Sequence, residues 1–216
     1  AELNMKQSRL YAQHTQLGAT FEEVTGWEIP THYGDVAAEY RAVRKAVGIA
    51  DLSHRGKLRV TGEDRVKWLQ SVISNDILPL QPGQGRYSSL LTHKGKMLTY
   101  FRLYLQTEAI MLEDVGEIGD TTFQGLRKFL LYGTTAKMEN CAESWGLLLI
   151  SGPKAAHVVQ SAFGVDVTDL KPVEFVTAQI GGHQALVLCT EETGEVDIEV
   201  LLPADSLLTA WTSVMQ

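Results

Sequence analysis

Cysteine is scarce: Cys141 and Cys189 are the only two in 216 residues, and neither belongs to a C-x-x-C pair. A disulfide framework needs more, so both read as buried thiols in a reducing compartment. The six histidines, at positions 14, 32, 54, 93, 157 and 183, are not paired at metal-ligand spacing, and no metal site is expected. Long apolar runs are missing too. The longest, such as Trp145–Ile150 and Ala185–Cys189, fall far short of the roughly 18 residues that a membrane helix needs. Ala1–Leu10 lacks a signal peptide's apolar stretch. The expectation is a cytoplasmic chain with no membrane partner. Positive charge is also short, with 19 Lys and Arg against 26 Asp and Glu and a net charge of -7. Such a surface repels phosphate backbones, which argues against nucleic acid as a partner. Finally, there is no G-x-x-x-x-G-K-[ST], no G-x-G-x-x-G and no G-x-S-x-G, so the common phosphate cradles and the serine nucleophile elbow are not indicated.

What is present is a large apolar fraction, 44%, enough to build a sizeable core. The periodicity predicts a helix over Asp35–Val47, capped by Asp35, with Val36, Tyr40, Val43 and Val47 on one stripe and Gly48 as a left-handed stop. Lys57–Thr61 alternates as a strand, Gly62 breaks it, and Asp64–Ser74 returns to helical period. After the Pro/Gly-rich loop Leu78–Gly85, Tyr87–Leu91 and Lys96–Leu105 read as a hairpin turning at His93-Lys94-Gly95. Ala109–Leu112 follows as a strand and Thr122–Leu131 as a helix. The last third reads as strand Leu147–Ser151, helix Pro153–Phe163, strands Phe175–Ile180, Gln184–Cys189 and Asp197–Leu202, and helix Ser206–Met215. Strands outnumber helices and are linked mostly as hairpins, which predicts an α+β chain with antiparallel sheets. One echo recurs: Leu58-Arg59-Val60-Thr61-Gly62 and Leu148-Leu149-Ile150-Ser151-Gly152 each feed a helix. Two related lobes would explain it, with borders near Asp51–Arg55 and Glu139–Trp145.

Several stretches then occur in an ordered set: Gly26-Trp27-Glu28-Ile29-Pro30, Tyr33-Gly34, the helix with Glu39, Arg41 and Arg44, Gly48-Ile49-Ala50-Asp51-Leu52-Ser53-His54-Arg55-Gly56, and Val60-Thr61-Gly62. Ser74-Asn75-Asp76, Pro82-Gly83, Tyr87-Ser88, Ser151-Gly152-Pro153-Lys154-Ala155, Thr193-Gly194-Glu195 and Ile198-Glu199 complete it. Together they resemble the folate-binding region of the glycine-cleavage T-protein (aminomethyltransferase) superfamily. The resemblance implies a first lobe from 1–50 plus 145–216, an inserted ferredoxin-like lobe over 51–144, and a family C-terminal barrel that this sequence does not include. It also implies tetrahydrofolate as the small-molecule partner.

A carboxylate suits the pterin edge, because it accepts two hydrogen bonds from ring N–H groups. Glu199 stands where the family has that carboxylate, and Tyr87 matches its folate-contacting tyrosine. Tyr100 and Glu113 are further candidate contacts. The family's paired aspartates fall on Thr99 and Tyr100, which are uncharged at neutral pH and cannot stabilise a cationic amine as a carboxylate does. No catalytic residue is therefore assigned from the motif, although Glu113 or Asp114 could substitute. Lacking the pair, the chain is closer to the folate-binding paralogues of iron–sulfur-cluster assembly and repair. The expectation is an accessory role there, with an aminomethyltransferase or a ligand-free interaction domain as alternatives, and with a lipoyl carrier or an iron–sulfur assembly factor as a protein partner. His54 fits a structural role at least as well as a site role, and Asn75-Asp76 fits a helix C-cap and turn.

Overall fold

The computed structural model describes residues 5–115, 120–130 and 132–216. In chain order the strands are β1 (Lys6–Gln7), β2 (Thr20–Val24), β3 (Trp27–His32), β4 (Gly48–Asp51), β5 (Lys57–Thr61), β6 (Gly85–Leu91), β7 (Met97–Leu105), β8 (Ala109–Asp114), β9 (Lys137–Asn140), β10 (Trp145–Ser151), β11 (Phe175–Ile180), β12 (His183–Thr190) and β13 (Asp197–Pro203). The helices are α1 (Tyr11–Gln16), α2 (Val36–Lys45), α3 (Arg65–Gln70), α4 (Thr121–Arg127), α5 (Ala155–Phe163) and α6 (Leu207–Val214). The α+β class with antiparallel sheets is the one observed. No helix among the described residues is long and apolar enough to cross a membrane.

The chain divides into two compact units. Unit 1 takes Ala1–His54, Glu143–Pro172 and Val176–Gln216; unit 2 takes Arg55–Ala142 and Val173–Phe175. Unit 2 is built on a five-stranded sheet in the order β6-β7-β8-β5-β9, with antiparallel neighbours. Alternation sends Leu58, Val60, Leu90, Phe101, Leu103, Ile110 and Leu112 to one face, where Trp68 and Leu69 of α3 and Leu126 of α4 complete the core. Each fully buried leucine there contributes about 1.5–3 kcal/mol by leaving water. The opposite face carries polar side chains.

Unit 1 has a five-stranded sheet in the order β11-β12-β13-β10-β4. Leu148, Ile150, Val187, Ile198, Val200 and Leu202 form its core face, packed with Ala155 and Val159 of α5 and Ala210 and Trp211 of α6. A small sheet, β1-β3-β2, precedes it. Its β2–β3 turn is Thr25-Gly26, both at positive φ (49° and 80°), the signature of the hairpin turn whose twist matches the strands.

The echo in the sequence has a structural counterpart. In each unit a strand (β5 or β10) leads through a glycine to a helix (α3 or α5). Three consecutive strands follow, the last of them beside the first strand of the set. Both glycines are obligatory. Gly62 sits at φ +95° and Gly152 at +128°, and a Cβ at either would collide with backbone carbonyl oxygens, of Thr135 or of Val43 and Ala46.

Some expectations are corrected. The α2 stripe is not core: no residue of α2 is buried, and Val36 and Tyr40 are 59% and 64% exposed. Gly48 is no left-handed stop. It opens β4, and its missing side chain makes room for Val43. The helix expected to run to Ser74 ends at Gln70, because Ser71 Oγ donates to the Trp68 carbonyl (2.7 Å) and Ser74 Oγ is engaged with Ser88 and Ser89. The helix expected over Thr122–Leu131 ends at Arg127, and Leu131 lies outside the described residues. The strands and helix before His32, together with β4 and β9, were not anticipated.

Candidate functional site

Cross-strand register lines up the polar face of unit 2. Tyr87 is opposite Arg102, Arg102 opposite Glu113, and Glu113 opposite Lys57. Directly opposed residues share a face, so these four form one row across β6, β7, β8 and β5. Tyr100 lies two residues from Arg102 and is on the same face. Three of the four sequence-predicted site residues, Tyr87, Tyr100 and Glu113, are thus on one side of unit 2.

Glu113 is fully buried and ion-paired with fully buried Arg102 at 2.8 Å, with Arg55 at 3.3 Å. Two charges out of water need such geometry to offset their desolvation, and deleting one partner of such a pair costs about 3–5 kcal/mol. Lys57, equally buried, donates from Nζ to the Arg55 carbonyl at 2.8 Å. Sequence reasoning missed Arg102, Arg55 and Lys57. The available signal was the spacing of Tyr100, Arg102 and Tyr104 at every second position of an otherwise apolar strand.

The two aspartate-equivalent positions separate. Thr99 faces the core, where its hydroxyl meets that of Thr122 at 2.7 Å, while Tyr100 keeps the polar face and is 41% exposed. Asp114, the other carboxylate considered, is opposite Phe101 on the core face. Burial pushes its carboxyl up to about 7. The Thr122 hydrogen bond and Lys57 pull it down, and Glu113 and Asp120 push it up. Of the two substitutes, Glu113 alone shares a face with Tyr100. Asn75 and Asp76 serve the chain: Asn75 Nδ2 donates to the Tyr87 carbonyl (2.6 Å), and Asp76 Oδ1 accepts from the Leu78 amide (3.1 Å). His54 is buried.

Glu199, the fourth residue, belongs to unit 1. It is fully buried at mid-strand in β13, opposite Leu149 on one side and Leu188 on the other, on the face turned away from the core cluster. Two residues earlier, Asp197 fixes the preceding loop. It accepts from the amides of Glu192 (2.6 Å) and Thr193 (2.7 Å) and from the hydroxyls of Thr193 (2.7 Å) and Ser151 (2.5 Å). The Thr193-Gly194-Glu195 turn is thereby tied to the strand that carries Glu199. Glu199 is thus a buried carboxylate held in a sheet and off the core face.

Similar proteins bear on the assignment. The aminomethyltransferase of Deinococcus deserti is 32% identical over 216 residues, covering 99% of this chain and 60% of its own. That of Bacillus subtilis is 28% identical over 212 residues, with 98% and 58% covered. The chain therefore spans about 60% of the length of the curated relatives it matches. The crystal structure of glycine cleavage system aminomethyltransferase T from Bartonella henselae superposes with a TM-score of 0.88 at 26% identity, over 98% of this chain and 57% of that one. Heterotetrameric sarcosine oxidase from Corynebacterium shares the fold at a TM-score of 0.58 and 15% identity, over 90% of this chain and 93% of that one. The profile of the GCVT N-terminal domain matches residues 10–216. With the match running over nearly its whole length, the chain belongs to the GCVT N-terminal domain family.

Proposed function

We propose that this chain is the reduced-folate-binding part of an aminomethyltransferase acting in one-carbon metabolism. The observation that carries the reading is Glu199, a fully buried carboxylate on the face of its sheet away from the core. Tetrahydrofolate bound there would supply the one-carbon acceptor. Glu199 would accept from the pterin N–H groups. Glu113 is the proposed substitute for the missing aspartates, because it shares its face with Tyr100. The relatives' names favour this transferase over the iron–sulfur accessory role expected from the sequence.

One observation favours a second reading, folate binding without transfer. Thr99 is committed to Thr122, and Glu113 is already neutralised by Arg102 and Arg55. Equilibrium dialysis against tetrahydrofolate, followed by an aminomethyl-transfer assay with an aminomethylated lipoyl carrier protein, separates the two. Binding with transfer, lost in Glu113→Gln, supports the transferase. Binding without transfer supports the second reading, and no binding overturns both.

A further inference from the structure

Unit 1 holds a cleft of about 620 Å³ along its edge strand β4. One wall is the exposed stripe of α2, with Val36, Tyr40 and Val43; the other includes Ile49 of β4 and Leu149 of β10. Its polar lining includes two acidic residues and one basic one. Glu39 and Asp51 contribute carboxylates, and Arg44, the one Lys or Arg among the lining residues, is engaged by Glu195 (3.0 Å) and the Thr193 carbonyl (3.1 Å). The cleft thus combines an apolar body with the carboxylate of Glu39.

A buried relay ends in this wall. Asp51 Oδ2 accepts from Ser8 Oγ (2.5 Å) and from His14 Nε2 (3.0 Å), and Asp51 Oδ1 accepts from the Ser53 amide (3.0 Å). These hydrogen bonds outweigh burial, which by itself would raise the Asp51 carboxyl, and hold it below the usual carboxylate range. An ionised carboxylate only accepts, so Nε2 of His14 carries the proton. In the neutral ring Nδ1 is then the acceptor, and it lies 2.8 Å from the Tyr33 hydroxyl. With His14 neutral, Tyr33 donates inward, which leaves its oxygen lone pairs for the cleft that it lines. Its backbone amide is fixed by Glu39 Oε1 at 2.8 Å. The groups packed on His14 are Asp51 from β4, Tyr33 from the turn after β3, and the uncharged Trp211 ring from α6, edge-on at 5.1 Å.

We propose that this cleft binds a small organic ammonium ion, its apolar part against α2 and β10 and its N–H donors on Tyr33 Oη and Glu39. The site is independent of the folate reading, and its test uses other residues and another probe.

The test is an NMR titration of the full chain with 2-phenylethylamine and with its neutral isostere 2-phenylethanol. The amine should bind about tenfold or more tighter, as for a hydrogen bond to a charged group. Tyr33→Phe should weaken binding several-fold. Glu39→Gln, which keeps an oxygen for the Tyr33 amide, should weaken it several-fold with the fold intact, so the test survives if the Tyr33 variant does not fold. Equal affinity for amine and alcohol, no binding at millimolar amine, or unchanged affinity in folded Tyr33→Phe and Glu39→Gln would overturn the proposal.

Discussion

Asp114 is one residue along the strand from Glu113, and the pleat sends it to the opposite, core-facing side. There its folded carboxyl stands at about 7, above the unfolded value near 3.8, chiefly because burial penalises the charge. A raised acid binds its proton more tightly when folded. Stability is therefore fully present below about pH 4 and declines as pH rises toward 7, by up to about 3–4 kcal/mol. Asp114→Asn mimics the neutral acid, so it should be more stable than wild type at pH 8 and no more stable at pH 4. Urea unfolding at the two pH values measures this, and an equal effect at both would contradict the burial argument. The same one-residue flip explains what was legible at this scale. Glu199 and Tyr87 are proposed from motif position, and alternation sets Glu199 on the face opposite Ile198 and Val200. Arg102 and Lys57 were missed because a fully buried cation inside an apolar strand is rare unless paired, and the pairing appears only with the register.

At the scale of elements, propensity and period located most strands and helices but misjudged ends and exposure. The cap at Asp35 is real, its side chain accepting from the Ala38 amide at 3.0 Å. The stripe beyond it reads as core in sequence yet lines an open cleft, because period reports which residues share a face and not what covers it. The opening β2–β3 hairpin was illegible: β2 is Thr-Phe-Glu-Glu-Val, with one half-buried residue before the paired glutamates and one after. The loops leading into β6 and β11 make a sharper test. Gly83 precedes the Gln84–Glu174 bridge on one segment and Val173 on the other, at φ +97° and +62°. A β-branched residue pays for that region about 1–2 kcal/mol, whereas glycine loses about 0.4–1 kcal/mol through the unfolded chain. Val173→Gly should therefore stabilise by roughly 0.5–1 kcal/mol, read as a rise in the urea midpoint. A clear loss would mean that the valine side chain packs better than its backbone suffers.

For the molecule as a whole, two units repeat one strand–glycine–helix–meander plan, and each places polar candidates on the face its core does not use. Class and family were legible because many weak motifs stood in order. The chemistry was not, because it turns on a few side chains whose facing depends on register: Thr99 inward, Tyr100 and Glu113 together, Glu199 buried in the other unit. The central claim is that Glu199 receives the pterin of a reduced folate. Calorimetric titration with tetrahydrofolate of wild type, Glu199→Gln and Glu199→Ala tests it most directly. Wild type should bind, Glu199→Ala should lose about 1.5–3 kcal/mol of affinity, as for a hydrogen bond to a charged group, and Glu199→Gln should fall between. Wild-type binding that neither substitution changes, in variants that unfold at the wild-type urea concentration, would contradict it.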